Sequence, residues 1–407
     1  MLPASSRNVW LLFFTLVVVM MGFGLAIPIL PYYIDSFGAS GSALGLLMAL
    51  YAILQFLFAP VWGSLSDRVG RKPILLAGVF GNALALLLFG LANQLWMLFA
   101  ARALAGILSS ATLPTAMAYI GDSTSEENRG GGMGILGAAM GVGMVIGPGA
   151  GGWLAGQSLS LPFYVAAALS MLAFVAVAAL LPESLPPEQR EAGSVSSAVH
   201  GPQVRAMWQA LAGPVGILLV LAFLLSFGLT NFETVFGFYT LERFGYGPQT
   251  VGMVLMSIGV ASAVVQGMLT GPLTRRFGEA AVIRASLIGS AIAFLLLLAA
   301  RDFAGVMITS CLFAISNAML RPGISSLIST RATTGQGVAM GLNNAFMSLG
   351  RMVGPVWAGL VFDVDIRLPY VSGAAVMAAG FVVSLVWLSG QPRQAAERTS
   401  TAERSTL

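Results

Sequence analysis

Twelve apolar stretches, each about the length of a membrane crossing, follow one another along this chain and leave little sequence for anything else. They fall at 9–32, 42–64, 74–93, 96–120, 131–156, 161–181, 211–240, 249–272, 280–299, 303–328, 336–362 and 368–390. A helix needs about 20 mostly apolar residues to cross the hydrocarbon core, where its backbone must satisfy its own hydrogen bonds. Of the 407 residues, 57% are hydrophobic and 9% charged, against about 25% charged in a soluble domain. No water-soluble core can absorb that much apolar sequence. The expected fold class is therefore an all-α membrane protein with twelve transmembrane helices and the lipid bilayer as solvent.

The breaks between stretches are short, with one exception. Residues 183–209 are rich in Pro, Glu, Gln and Ser and read as a surface linker. This divides the chain into a six-helix unit over 1–182, the linker, a second six-helix unit over 210–390, and a polar, disordered tail over 391–407. Basic residues set the orientation. One set of loops holds Arg68, Arg71, Lys72, Arg129, Arg190, Arg275, Arg276 and Arg331, along with the basic residues of the termini and the linker. The opposite set holds only Arg243, Arg301 and Arg367. Both termini and the linker are expected to be cytoplasmic. Arg7 ahead of the first apolar run resembles the start of a signal peptide, but the run's length and the many that follow favour a first span.

The two halves match at an offset of 207–208 residues. Phe37-Gly38 answers Phe244-Gly245, Gly45 answers Gly252, and GSLSDRVG at 63–70 answers GPLTRRFG at 271–278. Pro114 answers Pro322, and Gly147-Pro148 answers Gly354-Pro355. Five matches in register argue for duplication. Six helices plus six imply two pseudo-symmetric bundles with a binding site between them near the midplane, worked by rocking one bundle against the other.

Composition also excludes chemistry. The single cysteine, Cys311, reads as a small packing residue, and the single histidine, His200, cannot build a metal cluster with it. No nucleophile–base pair, metal set or cofactor motif is visible, so an enzyme is not expected. GVGMVIG at 141–147 lies within a span and lacks the preceding strand of a nucleotide loop. The net charge of +4 reflects where arginines sit and is no nucleic-acid footprint. A receptor would need a larger signalling domain than these loops provide.

The polar residues inside spans are few. A carboxylate at membrane depth costs roughly 2.5–3.5 kcal/mol on insertion scales and marks a substrate, ion or proton path by default. Glu233 is that residue in the seventh span, with Ser226 and Thr230 at i, i+4 and i+7 on one helix face. The tenth span places Asn317 and Arg321 on one face, and the eleventh lines up Asn344, Ser348 and Arg351. With Arg102 in the fourth span, the embedded set is three positive charges against one negative. Such a field suits a substrate bearing a carboxylate, or a zwitterion. Tyr51 and Gln55 in the second span and Gln266 in the eighth are further candidate cavity residues. Phe232 and Phe236 flank Glu233, where aromatic faces could stack on a flat molecule or hold a cation.

GSLSDRVGRKP at 63–73 resembles the signature of the major facilitator superfamily, carried on Gly63, Asp67, Arg68, Gly70 and Arg71. Leu98, Arg102 and Gly106 have the spacing of its proton-antiporter motif. Gly143, Gly147, Pro148, Gly151 and Gly152 resemble the glycine-proline motif of its exporters. GLAIPILP at 24–31, SFGLTNFETVFGFYT at 226–240 and MLRPGISS at 319–326 are similar to the NorA/Bmr-like multidrug:proton antiporters. The resemblance implies proton coupling through a glutamate in helix 7, at Glu233, and an aspartate in helix 10. The second position falls on Asn317, which cannot titrate. It also implies a cytoplasmic gate in which Asp67, Arg71 and Asp122 hold the bundles together in the outward-open state.

The expectation is a monomeric exporter that exchanges amphipathic drug-like molecules for protons, with no cofactor. The alternatives are an exporter of one metabolite or organic anion, and a uniporter.

Overall fold

The computed structural model describes residues 4–190, 211, 213, 215–332 and 335–387. Linker residues 191–209, with His200, and the tail 391–407 lie outside the described residues. Twelve helices are long and apolar enough to cross a membrane. They are α1 (Arg7–Ser36), α2 (Gly41–Val69), α3 (Arg71–Leu91), α4 (Leu95–Ser123), α5 (Glu127–Ala155) and α6 (Leu161–Leu180), then α7 (Gly216–Phe244), α8 (Pro248–Phe277), α9 (Glu279–Ala299), α10 (Phe303–Arg331), α11 (Gln336–Phe362) and α12 (Leu368–Trp387). Expected ends shift by a few residues. α2 continues past 64 to Val69, because the polar turn around Asp67 is still helical and only Gly70, at φ 113°, ends it.

The duplication is written into the backbone. The positive-φ residues among those described are Gly38, Gly70, Gly245 and Gly278. They form two pairs at the repeat offset, Gly38 with Gly245 and Gly70 with Gly278. Residues with a side chain rarely adopt φ above zero, and the φ/ψ of Gly70 (113°, 159°) and Gly278 (79°, 156°) is essentially confined to glycine. Helix breaks repeat as well. α4 tightens into a 3-10 turn at Ser109–Ala111, and α10 is interrupted at Met319. Each break precedes a proline, Pro114 or Pro322, whose ring clashes with the carbonyl four residues back. Pro272 follows a wide π turn at Val265–Leu269 in α8 for the same reason.

Helices α1–α6 and α7–α12 form two bundles with matching internal contacts. α1 packs on α5 and α3 on α6; correspondingly, α7 packs on α11 and α9 on α12. The bundles meet mainly through α2 against α11 and α5 against α8. These two seams are pseudo-equivalent. A Cβ on Gly252 of α8 would lie 2.5 Å from the Pro148 carbonyl oxygen of α5, and one on Gly45 of α2 would overlap the Pro355 carbonyl of α11. Small residues admit such close backbone approach.

The glycine run of α5 divides its labour by face. A Cβ on Gly143 would lie 2.7 Å from Val17 O of α1, one on Gly147 2.8 Å from Met21 O, and one on Gly151 2.7 Å from Leu25 Cβ. Gly149 and Gly152 point the other way, at Met256 and Gly252 of α8. One face therefore builds the first bundle and the other joins it to the second.

Hydrogen bonds between bundles lie at the end remote from the basic loops, termed here the outer end. Tyr32 Oη donates to Tyr246 O at 2.8 Å. The N–H groups of Gly41 and Ser42 donate to the Asp363 carboxylate at 2.7 and 3.0 Å. At the basic end, the polar contacts of the signature loop stay within the first bundle. Among the described residues the bundles are therefore tied to each other by hydrogen bonds at the outer end.

Candidate functional site

Arg102 of α4, Tyr51 of α2, Arg351 of α11 and Arg321 of α10 form a chain of neighbours across the two bundles. Arg102 is 3% exposed. Its guanidinium lies 5.3 Å from the ring centre of Tyr51 (α2), 5.5 Å from Phe89 (α3) and 5.9 Å from Phe23 (α1). Nη2 donates to Met48 Sδ at 3.0 Å, and Nε has no partner. The cation is thus held by an aromatic cage, each face worth about 0.5–2 kcal/mol, with no carboxylate among the described residues within ion-pair distance.

Tyr51 faces both bundles. Its hydroxyl accepts from Gln55 Nε2 at 3.2 Å, and it lies close enough to Arg102 and to Arg351 of α11 to interact electrostatically with both. Arg351 is exposed and donates to Ser348 Oγ at 3.0 Å. Ser348 Oγ in turn donates to Asn344 O at 2.8 Å. Arg321 of α10 is also exposed and lies near enough to Arg351 for the two charges to act on each other.

Glu233 of α7 is half-buried and has no hydrogen bond or ion pair among the described residues. It lies eleven residues from the outer end of α7 at Phe244, and Arg351 lies eleven from the outer end of α11 at Phe362. At 1.5 Å per residue both are about 16 Å deep. Tyr51, ten residues into α2, sits about 15 Å deep. A carboxyl, a guanidinium and a phenol therefore share one level near mid-membrane.

The structure redistributes other expected site residues. Phe232 and Phe236 do not line a cavity; they are 1% and 0% exposed. Phe232 stacks on Phe236 at 5.0 Å and on Phe313 at 4.7 Å, inside the second bundle with Phe294 and Tyr370. They fall on a face of α7 turned about 100° from the polar stripe. That stripe is itself partly a packing seam. Ser226 is buried, and Thr230 Oγ1, which donates to Ser226 O at 2.8 Å, packs against Gly354 of α11. Asn317 is 6% exposed with an unpartnered amide nitrogen. It occupies the repeat position of Ser109, which donates to Asn82 Oδ1 at 3.3 Å inside the first bundle. Asn344 is exposed on α11, and Gln266 is exposed on the π turn of α8.

The signature loop assembles as one unit. Arg71 Nε donates to Asp122 Oδ2 at 2.8 Å, and its Nη1 donates to Ser66 Oγ at 2.7 Å and to Asp67. Gly63 O accepts from Ser66 Oγ at 2.7 Å. Arg68 Nε is buried without a partner. The Glu183 carboxylate accepts from the N–H groups of Arg71 and Lys72 at 2.8 and 3.2 Å, capping α3. Gly70 leaves room for it, since a Cβ there would lie 2.5 Å from Glu183 Oε2. Glu183, Asp363, Phe23, Phe89 and Met48 escape the sequence reading. Only the two acids carry a local signal, each standing just past the end of an apolar run.

The sequence profile of the Major Facilitator Superfamily matches residues 12–270 and 218–406. The chain is 32% identical over 370 residues to "Multidrug resistance protein 2" of Bacillus subtilis (strain 168), covering 91% of this chain and 92% of that one. It is 31% identical over 381 residues to "Quinolone resistance protein NorA" of Staphylococcus aureus (strain COL), covering 94% and 96%. The solved structure of the nucleoside transporter NupG has the same fold, with a TM-score of 0.77 at 14% identity over 94% of this chain and 100% of that one. Duplicated bundles, signature loop and sequence together place this chain in the Major Facilitator Superfamily.

Proposed function

We propose that the protein is a secondary active exporter that exchanges amphipathic drug-like molecules for protons, with Glu233 as the proton carrier. The observation that carries this reading is the isolation of Glu233, a carboxylate near mid-membrane without a counter-ion among the described residues. A structural carboxylate at that depth would be paired. The printed names of the relatives, a multidrug and a quinolone resistance protein, support drug-like substrates.

In this reading the basic end faces the cytoplasm of a bacterial cell, following the charge bias of the loops. The bundle-to-bundle hydrogen bonds at the outer end support reading this state as inward-open. Substrate enters between the bundles from the cytoplasm or inner leaflet while Glu233 releases its proton inward. The bundles rock, the outer seams part, and the signature loop closes the cytoplasmic end. Glu233 takes a proton from outside, substrate leaves, and the cycle resets. With Asn317 at the helix-10 position, fewer protons move per cycle than in a relative with two acids. Each net charge moved inward contributes about 2.3 kcal/mol per 100 mV of membrane potential. One chain encloses the whole path and works as a monomer.

The test is substrate-driven proton movement in sealed proteoliposomes, comparing the native chain with Glu233→Gln. Proton movement confined to the native chain supports antiport. Equal movement in both relocates the carrier, and substrate flux without proton movement indicates a uniporter.

A further inference from the structure

We infer that Arg351 and Arg321 form a subsite for a carboxylate, or a similar planar oxyanion, on the transported amphiphile. The inference deepens the reading above and rests on the opening between the bundles being the substrate path.

Both guanidinium groups project from the second bundle without a counter-ion among the described residues. Arg351 has Ser348 Oγ as its hydrogen-bond acceptor, and Arg321 has none among the described residues. Neither caps a backbone carbonyl, which would be the structural use of an arginine inside a helix bundle. Arg351 is not at headgroup level, being about 16 Å from the outer end of α11 and, fifteen residues from Gln336, about 22 Å from the other. It cannot be a simple anchor for lipid phosphates.

The surroundings add to the positive field. Arg102 stands behind Tyr51, whose ring lies between the two bundles. Glu233, at a similar depth on α7, pairs with none of the three arginines. Like charges held close repel, and the repulsion is relieved when an anion enters. Guanidinium is the side chain best matched to a carboxylate, through paired charge-assisted hydrogen bonds. Both arginines are exposed, as a site that loads cargo must be. Tyr51 offers an aromatic face across the gap for the apolar body of the same molecule. The predicted ligand is an aromatic acid or zwitterion. A permanently cationic amphiphile meets an unfavourable field here.

The test is equilibrium binding to the purified full-length transporter in phosphatidylcholine nanodiscs, with empty nanodiscs subtracted. Three probes share one apolar body: 1-pyrenebutyrate, 1-pyrenebutyramide and a pyrenylbutyl trimethylammonium. The native chain is expected to bind the carboxylate at least tenfold more tightly than the amide and the cation most weakly. Arg351→Gln should weaken the carboxylate roughly tenfold to hundredfold, the span of a lost hydrogen bond to a charged group, and leave the amide unchanged. Arg321→Gln should act in the same direction, and Arg351→Lys should restore part of the loss. Unchanged amide binding reports an intact pocket in each variant. Equal binding of carboxylate and amide by the native chain, or equal weakening of both by Arg351→Gln, would overturn the proposal. Binding needs no proton gradient, so failure of antiport in the flux assay leaves this result readable by itself.

Discussion

Asp363, one residue past the end of α11, caps the first turn of α2 across the bundle interface: Gly41 N–H donates to it at 2.7 Å, and Ser42 N–H at 3.0 Å. The first N–H groups of a helix have no partner within the helix, and an anion there also meets the positive end of the helix dipole. This cap joins the bundles directly, and it must break when the outer end opens.

Asp363→Ala should therefore favour the outward-open state. An N-cap contributes about 1 kcal/mol, so the shift is roughly fivefold in population. Spin-label distances between the outer ends of α2 and α11 would report it. An unchanged distance distribution would show that the cap does not bias the equilibrium.

The two glycine–carbonyl seams predict a matched pair of phenotypes. Gly45→Val and Gly252→Val each place side-chain atoms where Pro355 O and Pro148 O now sit. Both should hold the outer seam apart and abolish transport while protein still reaches the membrane. Whole-cell efflux with a surface-accessibility probe at the outer end would check this. If one variant transports normally, the seams are not functionally equivalent.

Arg102 separates stability from function. A buried cation without a carboxylate is costly, and an apolar replacement of similar length is often neutral or stabilising. Arg102→Met should keep or raise the melting temperature in detergent while transport falls at least tenfold. A lower melting temperature with transport retained would make Arg102 a structural residue.

Phe232 predicts the reverse pattern. As part of an aromatic core it should cost about 3–5 kcal/mol on truncation to alanine. Phe232→Ala should lower thermal stability sharply, whereas Phe232→Leu should transport with little change in substrate profile. A changed profile at native stability would return Phe232 to the cavity wall.

The spans, the duplication and the close-packing role of the α5 glycines were legible because the bilayer imposes them locally. An apolar run of fixed length, a glycine at positive φ and a proline that breaks a helix each act within a few residues. The placement of Glu233 and Arg102 inside spans was legible because charge is rare at that depth. The face a side chain turns to is a tertiary property, and there the reading failed. Phe232, adjacent to Glu233 in sequence, points into the bundle because neighbours on a helix diverge by about 100°. Asn317 is polar and inside the membrane, yet the repeat position of Ser109 buries it. The caps by Glu183 and Asp363 join residues more than a hundred positions apart, beyond any local pattern.

Proton movement driven by substrate in sealed proteoliposomes, native chain against Glu233→Gln, bears most directly on the central claim. Substrate-dependent proton flux is expected in the native chain and none in the variant, with the variant still inserted and still binding substrate. Equal proton flux in both would contradict Glu233 as the carrier.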